Sequence, residues 1–130
     1  MSKKILIIED EIEMVDLIKY ALSPGNFDVV DYGSGFHAWD EILKVKPDLV
    51  ILDVMLPGVD GYSLQLKLSE NAKTKAMPTI ILTAIESSKS LFEKFPQIAS
   101  FISKPFKAEQ LLNAAQEALA KSTHTWEARA

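Results

Sequence analysis

The stretch Leu49-Val50-Ile51-Leu52-Asp53 places a carboxylate directly after four apolar residues. Three other short apolar runs end on chemically active residues, namely Glu9-Asp10, Thr83 and Lys104. Runs of this kind are typical of parallel strands that are buried on both faces. In such sheets, ligands bind beyond the carboxyl ends of the strands. We therefore expect three carboxylates, a hydroxyl and an ammonium to meet at one edge of a sheet.

The composition limits the classes of function. The chain has 130 residues, 48% of them apolar, which fits one domain with a real core. It contains no apolar run long enough to span a membrane, and the apolar run near its start is too short for a secretory signal. It has no cysteine, which excludes disulfides and thiol chemistry and suits a reducing compartment, so we expect a cytoplasmic protein. The net charge of −4 argues against direct, sequence-independent nucleic-acid binding.

Strand-like runs alternate with helical patterns along the whole chain. Right-handed crossovers would place helices on both faces of a parallel sheet, which predicts an α/β, doubly wound (βα)5 fold. The predicted strands are Lys4–Ile8, Phe27–Asp31, Asp48–Leu52, Thr79–Leu82 and Ser100–Ser103.

The helices are predicted from their apolar spacing. The first helix would bury Ile12, Val15, Ile18 and Leu22, and the second would bury Phe36 and Trp39. The alternation of Leu64, Leu66 and Leu68 fits a strand or a helix, and we favour a helix because parallel neighbours need a crossover connection. The fourth helix would begin within residues 86–89 and end by Phe95, and the last would run from Lys107 to Lys121.

Several residues carry predictions of their own. Leu91, Phe92 and Phe95 could form an exposed apolar patch for a partner, but we favour packing on the fourth and fifth strands. Gly61 is expected to permit a backbone conformation that side chains forbid. Residues 122–130 would form a polar tail, with Trp126 in a linker or a docking peptide. His37 and His124 lack ligand partners nearby in sequence and are interpreted as surface residues.

Each candidate site residue also has a simpler explanation. Glu9 and Asp10 could cap the first helix, where acids favour the N-terminus. Thr83 could be a strand-end hydroxyl bonded to backbone, and Lys104 a solvated loop residue. Asp53 is harder to explain in this way, because a carboxylate after a buried run needs a partner.

Taken together and in order, these motifs resemble the receiver domain of two-component response regulators. They are Glu9-Asp10 after the first strand, Asp53-Val-Met-Leu-Pro57-Gly-Val-Asp-Gly61 after the third, Thr83-Ala84 after the fourth and Lys104-Pro105-Phe106 after the fifth. The resemblance covers residues 3–121, so it predicts a receiver domain over residues 1–121. It implies a flavodoxin-like sheet with strand order 2-1-3-4-5.

The resemblance assigns a role to each site residue. Asp53 would accept a phosphoryl group, Thr83 would donate a hydrogen bond to that group, and Lys104 would pair with it. Glu9, Asp10 and Asp53, with the backbone carbonyl of Met55, would bind Mg²⁺, or alternatively Mn²⁺. Mg²⁺ prefers oxygen ligands. The three carboxylates sum to −3, which Mg²⁺ and Lys104 would balance.

The resemblance also implies a switch and a set of partners. Thr83 would move toward the phosphoryl group, and Phe101 would turn inward to fill the vacated space. The fourth helix, fifth strand and fifth helix would form the readout surface. The donor would be a sensor histidine kinase or a histidine phosphotransfer protein. A downstream protein partner would receive the signal, and a homodimer is possible.

Two other functions compete with this one. A receiver-fold interaction module that works without phosphorylation would keep the fold, but such modules usually lose acidic or lysine positions that this chain retains. A hydrolase using Asp53 as its nucleophile would need a second acid two residues later, where Met55 stands. The protein is therefore expected to catalyse only its own phosphorylation and dephosphorylation, and not to be an enzyme in the usual sense.

Overall fold

The computed structural model describes residues 2–34, 36–54, 61–83 and 89–126. The sheet has five parallel strands in the order β2-β1-β3-β4-β5, which confirms the predicted fold class. The strands are β1 (Lys4–Ile8), β2 (Asp28–Tyr32), β3 (Leu49–Asp53), β4 (Thr79–Thr83) and β5 (Ile98–Ser103). The helices are α1 (Ile12–Leu22), α2 (Ala38–Val45), α3 (Gly61–Glu70), α4 (Lys89–Phe92) and α5 (Ala108–Lys121).

Two apolar layers cover the two faces of the sheet. On one face, α1 and α5 pack on alternate residues of the central strands, such as Ile5, Ile7 and Ile51. On the other face, α2, α3 and α4 pack on the residues between them, such as Leu6 and Leu52. Because successive side chains of a strand point to opposite faces, the continuous apolar runs are explained by burial on both sides.

The ambiguous segment containing Leu64 and Leu68 is a helix, as favoured, and both residues are buried on the sheet. Phe92 and Phe95 are also buried, as expected, whereas the side chain of Leu91 lies outside the described part of the structure. The predicted start of the fourth helix, within residues 86–89, falls largely outside the described residues. No described helix is both long enough and apolar enough to cross a membrane.

Two of the core predictions are wrong. Ile12 is 77% exposed, because it is the first residue of α1 and precedes the turns that pack on the sheet. Phe36 is 64% exposed, because α2 begins only at Ala38. His37 adopts a left-handed conformation with φ 64°, so the chain turns before the helix starts and leaves Phe36 in the loop.

Residues 122–126, the described part of the tail beyond α5, fold back on the domain. The indole Nε1–H of Trp126 donates a hydrogen bond to the carbonyl of Pro47, and the ring packs against the layer formed by α2, α3 and α4. His124 packs edge-on against Trp126 with ring centroids 4.9 Å apart. The prediction of a surface histidine is therefore wrong, since His124 is half-buried and burial lowers its pKa. A tertiary contact, which local sequence does not encode, accounts for the difference.

Candidate functional site

The register of the sheet brings the predicted site residues together. Ile8 pairs with Leu52, so Glu9 and Asp53 follow on neighbouring strands. Thr83 pairs with Ser103, so Lys104 follows next to the end of β4. The amide of Lys104 donates a hydrogen bond to the carbonyl of Thr83 over 2.8 Å, which fixes the start of the loop after β5.

Two of the three carboxylates are almost completely buried. Glu9 is 1% exposed and Asp53 is 5% exposed, whereas Asp10 faces solvent. The Glu9 side chain accepts a hydrogen bond from the amide of Glu11 at the start of α1, over 3.2 Å. The helix-capping explanation thus covers only part of what Glu9 does, because the same side chain also faces the interior of the site.

Gly61 allows α3 to begin directly beside the end of β3. A Cβ atom at this position would lie 2.9 Å from the Cα of Val54, which is too close for a real contact. The backbone of Gly61 does not adopt a positive φ, so the expectation of a special conformation is wrong. Close approach of the two backbones is the reason for glycine here.

Lys104 bridges the two buried carboxylates. Its Nζ lies 3.0 Å from Oδ2 of Asp53 and 3.4 Å from Oε1 of Glu9. The Lys104 side chain is itself largely buried, so the interaction is poorly screened by solvent. The peptide bond between Lys104 and Pro105 is cis, as the resemblance implied.

The electrostatics of the site are those of an incompletely neutralised acidic cluster. Burial, together with the hydrogen bond to Asp53 and the negative charge of Asp53, raises the pKa of Glu9 from 4.5 to about 7, although the amide of Glu11 and the charge of Lys104 act in the opposite direction. Burial alone would lower the pKa of Lys104, but its hydrogen bond to Asp53 and the charges of both carboxylates raise it. The single positive charge of Lys104 therefore stabilises the carboxylates of Glu9 and Asp53 but does not neutralise both of them.

Oxygen atoms of Glu9, Asp10 and Asp53 lie within 4.8 Å of one another. Three carboxylates and one ammonium leave a formal charge of −2, and hard divalent cations prefer all-oxygen donor sets of this kind. The donor set therefore fits Mg²⁺. The fourth predicted ligand, the backbone carbonyl of Met55, lies outside the described residues.

Thr83 and Phe101, the two residues of the predicted switch, lie on the neighbouring strands β4 and β5. Thr83 is fully buried at the end of β4. Phe101 is half-buried on β5, and its ring centroid lies 6.1 Å from that of Phe92. Tyr62, which the sequence reasoning missed, joins this aromatic cluster with its centroid 5.8 Å from Phe92 and 5.6 Å from Phe95. No sequence pattern marks Tyr62, because α3 and α4 meet only through the tertiary fold.

Comparison with known proteins agrees with this geometry. The sequence profile of the response regulator receiver domain matches residues 5–116. The DNA-binding dual master transcriptional regulator RpaA of a Synechocystis strain is 32% identical over 110 residues, which are 84% of this chain and 46% of the regulator. The chain thus spans less than half the length of that relative.

Two solved structures share the fold. The signal receiver domain of a signal transduction histidine kinase from Syntrophus aciditrophicus is 25% identical, with a TM-score of 0.84 over 99% of this chain and 98% of that one. The receiver domain of a sensor histidine kinase from Pseudomonas aeruginosa is 23% identical, with a TM-score of 0.81 over 93% of this chain and 100% of that one. That second structure has a magnesium ion coordinated in its active-site cleft. The chain belongs to the response regulator receiver domain family, the phosphorylation-dependent switches of two-component signalling.

Proposed function

We propose that Asp53 is the phosphoacceptor of this receiver domain and takes its phosphoryl group from a phosphohistidine donor. A carboxylate oxygen of Asp53 would attack phosphorus and form a P–O bond while the P–N bond to the donor imidazole breaks. With the other ring nitrogen of the donor already protonated, the donor would leave as neutral imidazole. The observation that carries this proposal is the pairing of Asp53 Oδ2 with Lys104 Nζ over 3.0 Å, inside a cluster of three acidic side chains.

The roles of the neighbouring residues follow from charge. Phosphoryl transfer depends mainly on positioning and on neutralising the oxygens of the transferred group. Glu9, Asp10 and Asp53, with the carbonyl of Met55, would hold Mg²⁺, which neutralises and orients the phosphoryl oxygens when bound. Lys104 would exchange its contact with Asp53 for one with the phosphoryl group. The magnesium in the Pseudomonas receiver domain supports this choice of ion, and Mn²⁺ is an alternative to be tested.

Thr83 would donate its hydroxyl hydrogen bond to the phosphoryl group, and the aromatic cluster around Phe101 would repack in response. Such a change is a population shift between two packings, biased by one covalent modification. The burial of Thr83 and the contact of Phe101 with Phe92 support this route from the site toward α4 and β5.

The wider setting is part of the same proposal. A sensor histidine kinase or a histidine phosphotransfer protein would phosphorylate the domain in the cytoplasm. Residues 1–121 would form the receiver domain, which would pass the signal to a downstream protein or to a second copy in a homodimer. The receiver fold would not contact nucleic acid directly, and it would have no activity beyond its own phosphorylation and dephosphorylation.

Incubation with acetyl phosphate and Mg²⁺, followed by intact-mass measurement, tests this function. We expect one added phosphoryl group on the native chain and none on Asp53→Asn. Asp40→Asn, an exposed carboxylate on α2, is the matched control and should be phosphorylated normally. No adduct on the native chain with either Mg²⁺ or Mn²⁺ would rule out the proposal.

A further inference from the structure

Residues 122–126 contact the loop between α2 and β3 through both polar and apolar groups. Trp126 supplies the apolar area, because its ring packs on the layer of α2, α3 and α4. A buried indole usually needs an acceptor for its N–H, and the carbonyl of Pro47 provides it. Pro47 is itself buried at this position. The indole is therefore held by a specific site on the domain.

The chain turns toward this site directly after α5. The amide of His124 donates a hydrogen bond to Oγ of Ser122 over 3.1 Å, which closes a short turn at the end of the helix. The ring of His124 then meets the indole of Trp126 at an angle of 89°. Ser122, His124 and Trp126 are half-buried, whereas Thr123 and Thr125 between them are exposed. One side of the segment thus lies on the domain and the other faces solvent.

His124 is the residue of this contact whose charge can change near neutral pH. Its Nε2 atom is buried and has no hydrogen-bond partner among the described residues. Protonation would make Nε2 a charged donor in a place that offers it no acceptor. A buried charge without a partner is costly, and water would hydrate it if the segment left the surface. The bound segment therefore favours the neutral ring.

The charged groups around His124 do not reverse this preference. Burial is the larger influence and lowers the pKa of His124, while the negative charge of Asp48 acts in the opposite direction. Oδ2 of Asp48 accepts a hydrogen bond from the amide of Lys4 over 2.8 Å, so this carboxylate already has a partner. The side chains of Lys46, after α2, and Lys121, at the end of α5, are exposed to solvent.

We propose that residues 122–126 form a docking segment whose binding site is the loop between α2 and β3 of the same domain, and that protonation of His124 releases it. A free histidine has a pKa of about 6.5. Below that pH the released segment takes up a proton that the docked segment does not, so docking weakens as the pH falls. Asp53 takes no part in this equilibrium, so the proposal does not depend on the phosphoacceptor function.

Hydrogen exchange of the Trp126 indole N–H in the full chain tests the proposal. NMR spectra of Trp126→Phe distinguish its signal from that of Trp39. Protection is measured relative to free indole at each pH, which removes the intrinsic pH dependence of exchange. We expect protection at about pH 7.5 that falls by about threefold or more at about pH 5, because the released state gains a proton.

Matched variants isolate the contribution of His124. His124→Gln should retain its protection at the lower pH, whereas His37→Gln, which changes the exposed histidine before α2, should lose protection as the native chain does. Glu9 also titrates in this range, but it is common to all of these proteins. His124→Lys, with its permanent charge, should reduce protection already at the higher pH. Thr123→Lys, at an exposed position, should not.

Four results would overturn the proposal. An unprotected Trp126 indole at the higher pH would show that the segment does not dock. The same loss of protection in His124→Gln as in the native chain would exclude His124 as the responsive group. An equal loss at the Trp39 indole would show opening of the whole domain. Protection that depends on protein concentration would show that the segment binds a second copy.

Discussion

The ammonium of Lys104 lies 3.0 Å from Oδ2 of Asp53, on a strand end two strands away in the sheet. Strand β4 lies between β3 and β5 in the sheet, so the side chain of Lys104 reaches across the end of β4 to contact Asp53. Its second contact, 3.4 Å to Glu9, spans the site to β1. Lys104 thus contacts both buried carboxylates and supplies part of the positive charge that the acidic cluster requires.

Replacing Lys104 should separate metal binding from phosphoryl transfer. In Lys104→Ala, we expect tighter Mg²⁺ binding by about threefold to tenfold, because a competing cation is removed from the carboxylates. Phosphorylation by acetyl phosphate should be slower by about tenfold or more, because the phosphoryl oxygens lose their charged partner. Calorimetric titration with Mg²⁺ and the rate of mass increase measure the two effects. Lys107→Ala, an exposed lysine nearby, is the control, and equal weakening of both properties in Lys104→Ala would contradict this assignment.

The raised pKa of Glu9 predicts an unusual pH dependence of stability in metal-free protein. The pKa of Glu9 is about 7 in the folded state, against 4.5 for an ordinary glutamate. Between these values the folded state holds a proton that the unfolded state has released, so stability falls as pH rises through this window. The loss should be on the order of 1 to 3 kcal/mol, and it should be absent in Glu9→Gln. Denaturant titrations of both proteins from pH 4.5 to pH 8 measure the difference.

The proton on the Glu9 carboxylate should compete with Mg²⁺ for that carboxylate. Because Glu9 must be ionised to bind Mg²⁺, the ion should stabilise the fold more at pH 8 than at pH 5.5, as thermal unfolding with and without Mg²⁺ would reveal. An equal increase in melting temperature at both pH values would show that Glu9 is not a ligand.

Substitutions of Thr83 test the conformational switch separately from the phosphorylation of Asp53. Thr83→Ala should still be phosphorylated on Asp53, because the hydroxyl is not the acceptor, but the resonances of Phe101 should respond much less to phosphorylation. Thr83→Ser keeps the hydroxyl and should restore most of the response. ¹³C-labelled aromatic NMR spectra before and after phosphorylation measure the effect. A full Phe101 response in Thr83→Ala would exclude this residue as the link.

The packing of Gly61 gives a prediction about stability alone. In Gly61→Ala, the new methyl group would meet the backbone of Val54 at 2.9 Å, and neither backbone can move without disturbing the end of β3. We expect a loss of about 1 to 3 kcal/mol in the free energy of unfolding. Gly33→Ala is the matched control, since the nearest atom there is 3.7 Å away. Comparable stability of the two variants would show that α3 can shift away from Val54 at little cost in free energy.

Sequence reasoning succeeded where burial on both faces imposes continuous apolar runs. The strand starting at Lys4 was predicted with its observed bounds, and the others within one or two residues. The convergence of Glu9, Asp53, Thr83 and Lys104 followed, because parallel strands bring their carboxyl ends to one edge.

Sequence reasoning failed where a residue's environment depends on neighbours that are distant in sequence. Helical spacing assigned Ile12 and Phe36 to the core, but spacing does not reveal where a helix begins relative to the sheet. The half-buried His124 and the contribution of Tyr62 to the aromatic cluster likewise depend on contacts between segments that are far apart in the chain.

Residues 122–126 connect the helical layer on one face of the sheet to the layer on the other face. α5 belongs to one helical layer, whereas Trp126 packs into the other and holds Pro47 at the start of β3. Only the residues from Ser122 to Thr125 separate the two anchors. A displacement of α5 along the sheet would therefore pull on Trp126 and, through its hydrogen bond, on the loop between α2 and β3. This loop lies at the opposite end of β3 from Asp53.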